Sequence, residues 1–302
     1  MMQIDKRNGN VCFNDASHCY FDVNDESKKY ISVTTLIGKY EQEYDKNFWS
    51  AYKALERLLP KDSWTIEKKS LLSSKKFNKD ILDVYDISEN EFNKVQQDIL
   101  DEWDKKNKEA CERGTKIHSE LENSFYKAGA NVKLQKFGIG GKFECKKDYS
   151  ELDLENGVYP EYLIYRESDD GILKLAGQID LIVKSGNDIY IIDHKTNGKI
   201  DLKSGFNTKT KTTAKMKYPL NNLDDCNFQH YTMQLSTYAW MLQKINPNFV
   251  IKDLILNHYD HEGNNTLYHC EYRKHDVEKM LYHYKKNLIL EKERNKRKRI
   301  EY

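Results

Sequence analysis

The segments Gly177-Gln178-Ile179-Asp180-Leu181-Ile182 and Ile191-Ile192-Asp193-His194-Lys195-Thr196 decide the fold. They lie where the residue pattern changes to period two with β-branched and aromatic enrichment: Val158 to Tyr165, Leu173 to Val183, and Asp188 to Ile192. Ser168-Asp169-Asp170-Gly171 and Ser185-Gly186-Asn187-Asp188 are turn sequences, so the spacing predicts three consecutive antiparallel strands. On this reading Asp180 ends one strand and Asp193-His194-Lys195 ends the next, which brings two carboxylates and an ammonium group together. Asp193 and Lys195 share a face because side chains two apart on a strand point the same way. Two hard oxygen donors held close suit Mg²⁺ or Mn²⁺, whose charge relieves their repulsion. A lysine beside them can position a water or offset charge growing on a phosphate. These groups together point to metal-dependent phosphodiester hydrolysis.

Outward from these strands, Gln229 to Lys244 has helical periodicity and places Gln234 and Tyr238 one turn apart on one face. Val250 to Tyr259 and Thr266 to Tyr272 read as strands, and a long, increasingly basic helix runs from His275 to the end. On the N-terminal side, His18 to Asp22 and Lys29 to Ser32 form a hairpin around Asn24-Asp25-Glu26. Ser32 to Thr35 caps a short helix carrying Leu36 and Ile37. Phe48, Trp49, Tyr52, Leu55 and Leu59 follow at helical spacing up to Pro60, and the stripe is read as core. Ser88-Glu89-Asn90-Glu91 is a capping box opening a helix through Phe92, Val95, Ile99, Leu100 and Trp103. A break or kink is expected near Gly114, then a helix bearing Ile117, Leu121 and Phe125 that leaves at Gly129. The expected division is a hairpin and helical region over 1–108 and an α/β core with a basic terminal helix over 109–302, packed as one unit.

Composition excludes several classes. With 49 Lys+Arg against 48 Asp+Glu the formal charge is +1, and no run of about 18 apolar residues offers a membrane span. The N-terminus MMQIDKRNGN lacks the apolar stretch of a secretory signal, so a soluble, cytoplasmic protein is expected. The cysteines at 12, 19, 111, 145, 226 and 270 form no C-x-x-C pair, and no disulfide, zinc or iron–sulfur cluster is expected. Global disorder is disfavoured by 21 Tyr, 11 Phe and 4 Trp.

The series G-x-x-D, then D-x-K preceded by Ile-Ile, resembles the PD-(D/E)XK nuclease superfamily. The helical GTKIH segment and Gln234-x-x-x-Tyr238 are similar to its RecB-type exonuclease branch. HCYFD followed by YISVTTLIGKY, and LDDCNFQHYTMQLSTYAWML, resemble phage-encoded members of that branch, which the mitochondrial genome maintenance exonuclease also resembles. The resemblance implies a restriction-endonuclease-like core with a mixed central sheet flanked by helices. It makes His118 a metal ligand, Asp180 and Asp193 the bridging carboxylates, Lys195 the catalytic lysine, and the His194 backbone carbonyl a further ligand. Gln234 and Tyr238 would line the site and orient the lysine, and Glu161 would support the metal or the attacking water. It further implies DNA ends as substrate, single-stranded and threaded through a helical arch, in phage or viral recombination, replication or repair alongside proteins of those processes.

The segment leaving the strand after Thr196 has no clear period up to Phe228 and is read as a mobile DNA-contacting flap. From 199 to 217 it carries Lys199, Lys203, Lys209, Lys211, Lys215 and Lys217 against Asp201 alone. The tail from 285 to 302 has eight Lys+Arg against three Glu. A balanced total therefore conceals a segregated distribution of charge. Two other functions stay open on sequence grounds: an endonuclease of the same fold, and a catalytically silent DNA-binding or recombination module. The sequence leaves the oligomeric state open as well.

Overall fold

The computed structural model describes residues 6–147, 154–207 and 211–300. The chain divides into two compact units, Met1–Gln42 with Lys116–Tyr302, and Glu43–Thr115.

The first unit is built on a mixed sheet. Its opening strands β1 (Lys6–Asn8), β2 (Val11–Asn14), β3 (Cys19–Asp22) and β4 (Asp25–Ser32) pair antiparallel in succession. The expected hairpin is the β3–β4 pair, and two further strands precede it. Ser32 then caps α1 (Val33–Gly38), its hydroxyl accepting from the Thr35 N–H at 2.9 Å. Val33, Leu36 and Ile37 are buried by that helix in the main core.

The second unit holds α2 (Lys46–Leu58), α3 (Lys61–Ser74), α4 (Asp80–Val84) and most of α5 (Glu89–Ala128). Phe48, Tyr52, Leu55, Leu59, Phe92 and Ile99 form its own core, as the apolar stripe requires. No break occurs at Gly114, because α5 is continuous through it. One glycine costs a helix about 1 kcal/mol, and the Lys, Glu, Arg and Ala residues around it are strong helix formers that carry the helix past it.

Two small strands, β5 (Val132–Leu134) and β6 (Ile139–Phe143), pair with each other before the central ladder begins. Then β7 (Gly157–Glu167), β8 (Lys174–Ser185) and β9 (Asp188–Lys195) run antiparallel in sequence, as their alternation predicts. A short hairpin of β10 (Phe206–Asn207) and β11 (Thr212–Thr213) precedes α6 (Asn227–Ile245). The strand β12 (Val250–Tyr259) returns parallel to β9, β13 (Asn265–His269) pairs antiparallel with β12, and α7 (Lys274–Ile300) follows. Nine of these strands form one sheet among the described residues. The fold is thus mixed α/β with helices against a central sheet. No described helix is long and apolar enough to cross a membrane.

Two expectations change. The strands of the first 42 residues share the unit of β7 to β9 rather than that of the helices after them, since β4 pairs parallel with β8 at Ile31 and Ser32. The segment 197–228 is also not structureless: Met216, Leu220 and Leu223 are buried in the main core, which anchors its second half. Isolated apolar residues in a polar stretch leave no periodic signal, although each buries hydrophobic area.

The β8 edge opposite β7 is the feature that makes a site. Leu175 and Ala176 pair with β4, and pairing with β9 starts only at Leu181. Gly177 to Asp180 therefore line a split between β4 and β9. Asp180 sits inside β8 rather than at its end, and the split delivers the opening that a strand end was expected to provide.

The Ser32 cap generates a test. Ser32→Ala should lower stability by about 1 kcal/mol, read as a reduced urea midpoint, and Ser32→Asp should restore most of it. An unchanged midpoint in Ser32→Ala would show that α1 is held by its buried face alone.

Candidate active site

Register aligns the carboxylates. The pairs Pro160↔Leu181 and Tyr162↔Ile179 bracket Glu161 and Asp180, placing them opposite one another on β7 and β8. Leu181↔Ile192 is the last β8–β9 pair, and the next positions along are Asp180 and Asp193. Directly opposed side chains share a face of the sheet, so Glu161, Asp180 and Asp193 form a row across three strands. Glu161 adopts φ +51°, a left-handed conformation inside a strand. Such backbone costs on the order of 1–3 kcal/mol and persists where the surroundings impose it.

His118 reaches this row from α5. Its Nδ1 lies 3.6 Å from Glu161 Oε1 and 3.5 Å from Asp180 Oδ2, and its Nε2 donates to the His194 carbonyl at 3.0 Å. His118, Glu161 and Asp180 can place one ligand atom each within 4.8 Å of one another, a group able to hold a metal ion. Glu161 also meets Lys6 Nζ at 3.2 Å and accepts from the Gln178 amide. Asp180 Oδ2 accepts the His194 N–H at 2.6 Å, which ties β8 to the diverging end of β9.

Asp193 and Lys195 do share a face: Lys195 Nζ is 2.7 Å from Asp193 Oδ2. Gln234, on α6, spans the pair. Its amide nitrogen donates to Asp193 Oδ1 at 3.2 Å, and its carbonyl oxygen accepts from Lys195 at 3.3 Å. The Gln234 amide also lies 3.4 Å from the Tyr238 hydroxyl. Lys195 Nζ sits 4.5 Å from the centre of the Tyr231 ring, a cation–π contact. The His194 side chain points to the other face, where Asn257 donates to its Nδ1 at 2.8 Å. Accepting that bond fits a neutral imidazole, and burial pushes the His194 pKa down to about 3.

The electrostatics follow from burying these groups together. Burial, then the Asp193 charge, raises Asp180 to about 7. For His118 burial opposes the charged form, but the Glu161 hydrogen bond and the Asp180 charge prevail and raise it to about 9. Burial likewise opposes a charged Lys195, yet Asp193 and Asp180 raise its pKa, so it stays an ammonium. For Glu161 burial is outweighed by His118 and Lys6, which lower it. Protons on His118 and Asp180 thus stand where a divalent cation would neutralise the cluster, and the donor set of two carboxylates and an imidazole fits such an ion.

The structure brings together His118, Glu161, Asp180, Asp193, Lys195, Gln234, Tyr238 and the His194 carbonyl. Asp193, expected beside Asp180 as a ligand, is held by Lys195 and Gln234, while Glu161 completes the group with His118 and Asp180. Of the lysines expected to meet substrate, Lys203 and Lys211 are exposed. Lys199 is exposed beside Asp201 at 2.7 Å, Lys215 pairs with Asp224 at 2.5 Å, and Lys217 is half-buried. Lys209 lies outside the described residues. Lys6, Gln178 and Tyr231 went unnoticed in the sequence. Two carried a signal: Gln178 is two residues before Asp180 on one strand face, and Tyr231 is one helical turn before Gln234.

A family profile described as the PD-(D/E)XK nuclease superfamily matches residues 53–298. The chain belongs to that superfamily. Among solved structures, the chain is similar to one from Eubacterium rectale named "Putative exonuclease", at 11% identity and TM-score 0.31, covering 86% of this chain and 80% of that one. A second, SSO0001, shows 17% identity and TM-score 0.27 over 44% of this chain. The match spans 50% of SSO0001. No curated protein matches the chain significantly.

Two tests follow from the geometry. A Cβ on Gly177 would lie 2.6 Å from Tyr238 Cε1, and that ring is buried. Gly177→Ala should therefore cost about 1–3 kcal/mol by overpacking, read as a lower urea midpoint; an unchanged midpoint would mean the ring moves freely. The second concerns pH. Both Asp180 and His118 bind protons more tightly folded than unfolded. The metal-free chain therefore loses stability from Asp180 as pH rises from 3.8 to about 7, and from His118 between 6.5 and about 9. A divalent cation replaces those protons, so Mg²⁺ or Mn²⁺ should raise the melting temperature more at pH 8.5 than at pH 6, relative to EDTA. Equal or greater stabilisation at pH 6 would contradict the site.

Proposed function

We propose that the chain is a Mg²⁺- or Mn²⁺-dependent deoxyribonuclease of the RecB-type branch that hydrolyses DNA from an end, single-stranded by preference. The setting would be recombination, replication or repair of a phage or viral genome in the cytoplasm. The observation that carries this reading is the buried Asp193–Lys195–Gln234 arrangement set directly beside His118, Glu161 and Asp180. When bound, the cation supplies charge neutralisation and lowers the pKa of a water.

The remaining work falls to the side chains. Lys195, kept protonated by two aspartates, serves as a fixed positive charge toward the phosphate and not as a base. Gln234 holds Lys195 and Asp193 in one geometry, and Tyr231 shields the ammonium from solvent on one side. His118, Glu161 and Asp180 present the donor atoms, with Lys6 and Gln178 fixing the Glu161 carboxylate. The exposed Lys199, Lys203 and Lys211 lie on the segment that leaves β9 after Lys195, and would meet backbone phosphates there. The exonuclease mode rests on the resemblance of the GTKIH segment and of Gln234-x-x-x-Tyr238 to that branch.

Asp193→Ala and Lys195→Ala should each reduce hydrolysis of end-labelled DNA by 10³-fold or more, on the order of 4 kcal/mol, while leaving far-UV circular dichroism unchanged. Full activity in either folded variant would sink the assignment. Incubating linear and circular single-stranded DNA with the wild-type chain separates the modes: digestion of the linear form alone is expected. Cutting of the closed circle would favour an endonuclease, and DNA binding with no nucleotide release under either cation a silent module.

A further inference from the structure

A seam runs between the 197–228 segment and α7. Two hollows of about 710 Å³ and 360 Å³ lie there and share Tyr218, His283 and Asn287 as a common wall. Together they form one trough within the first unit. Two large aromatic side chains stand out of it almost bare: Tyr218 is 70% and Tyr282 73% exposed. Neither ring serves the core, and an exposed ring of that size is a stacking face. Lysines flank them. Lys279 and Lys286 come from the α7 face that also bears Tyr282, and Lys39 and Lys217 come from the opposite rim. Among the described residues Glu291 is the one acidic residue that lines either hollow, and Asp276 lies 3.9 Å from the Lys279 ammonium.

The frame is fixed. The Asn222 amide donates to Asp276 at 3.2 Å, Tyr40 Oη lies 3.1 Å from His283 Nδ1, and the Tyr218 ring meets His283 edge-on at 5.3 Å. The loop that forms one wall is the same segment that joins Lys195 to the helix of Gln234. Bare rings between lysines are the recognition chemistry of single-stranded nucleic acid, whose bases stack while its phosphates meet cations. Duplex DNA would keep its bases from the rings.

We infer that this trough is a second strand-binding surface that holds single-stranded DNA away from the scissile bond, with Tyr218 and Tyr282 stacking on bases and Lys279 and Lys286 contacting phosphates. The inference rests on the nuclease reading for its substrate class, and its test does not depend on hydrolysis.

The test is binding of the full chain, in EDTA, to a fluorescein-labelled oligothymidylate of about 20 nucleotides, a length that covers one such site. Tyr218→Ala with Tyr282→Ala should weaken binding about tenfold or more, and the corresponding Phe double variant, which keeps both rings, should bind like wild type. Lys279→Ala with Lys286→Ala should reduce the slope of log K against log salt by about 1.4, two phosphate contacts on a single strand. Oligonucleotide affinity within twofold of wild type in the folded Tyr→Ala variant would overturn the inference, as would an unchanged salt slope in the lysine variant. A trough that serves a protein segment instead would give both of those results. Release of nucleotides by the wild-type chain from a trinucleotide with Mg²⁺ reports on the active site separately. A failed trough leaves that release intact, and an inactive wild type that still binds through the rings sinks the nuclease reading alone.

Discussion

Three carboxylates on adjacent strands, pressed into a row and largely shielded from water, cannot all be charged unless cations sit among them. That constraint organises the site. Glu161 leans on Lys6 and His118, Asp180 takes the His194 N–H and retains a proton up to about pH 7, and Asp193 is matched by Lys195. Each compensation is local, so removing one leaves a buried charge unmatched, which is far costlier than the pair is stabilising. Asp180 and His118 hold the protons that a divalent ion would displace.

The backbone exists in the form that this row needs. β8 is paired along one edge by β7 but along the other only at its two ends, by β4 and by β9. The split exposes Gln178 and Asp180 to the diverging end of β9, and α6 lays Tyr231, Gln234 and Tyr238 over it. Gly177 admits the Tyr238 ring because it has no Cβ. Behind the sheet, Asn257 on the parallel strand β12 fixes the neutral His194 ring. The backbone on either side of that residue is then free to donate to Asp180 and accept from His118.

Much of this was legible in the sequence, for reasons that differ by element. The β7–β8–β9 ladder shows as alternation bounded by glycine turns, and Asp193-x-Lys195 and Gln234-x-x-x-Tyr238 each put two side chains on one face by periodicity alone. Ser32 as a cap was readable from its side chain. Position within the sheet was not: the alternation alone ends a strand at Asp180, whereas the split in β8 comes from pairing with β4, a strand far away in sequence. Gly114 looked like a break because its cost of about 1 kcal/mol is visible locally, whereas the helix formers that outweigh it count only in sum. The burial of Met216, Leu220 and Leu223 was hidden in a lysine-rich stretch, and Lys6 had no pattern linking it to Glu161. Glu161 has no periodic partner in the sequence, and it is the β7–β8 register that sets it opposite Asp180 and within reach of His118.

On the proposed function a divalent cation takes the place of the protons held by His118 and Asp180. Calorimetric titration of Mn²⁺ into the metal-free chain at pH 7.5, repeated in buffers of different ionisation enthalpy, counts those protons directly. With His118 raised to about 9 and Asp180 to about 7, binding should release about one proton per ion, and Asp180→Asn should abolish the high-affinity phase. Tight binding with no proton exchange, or binding unchanged in Asp180→Asn, would contradict it.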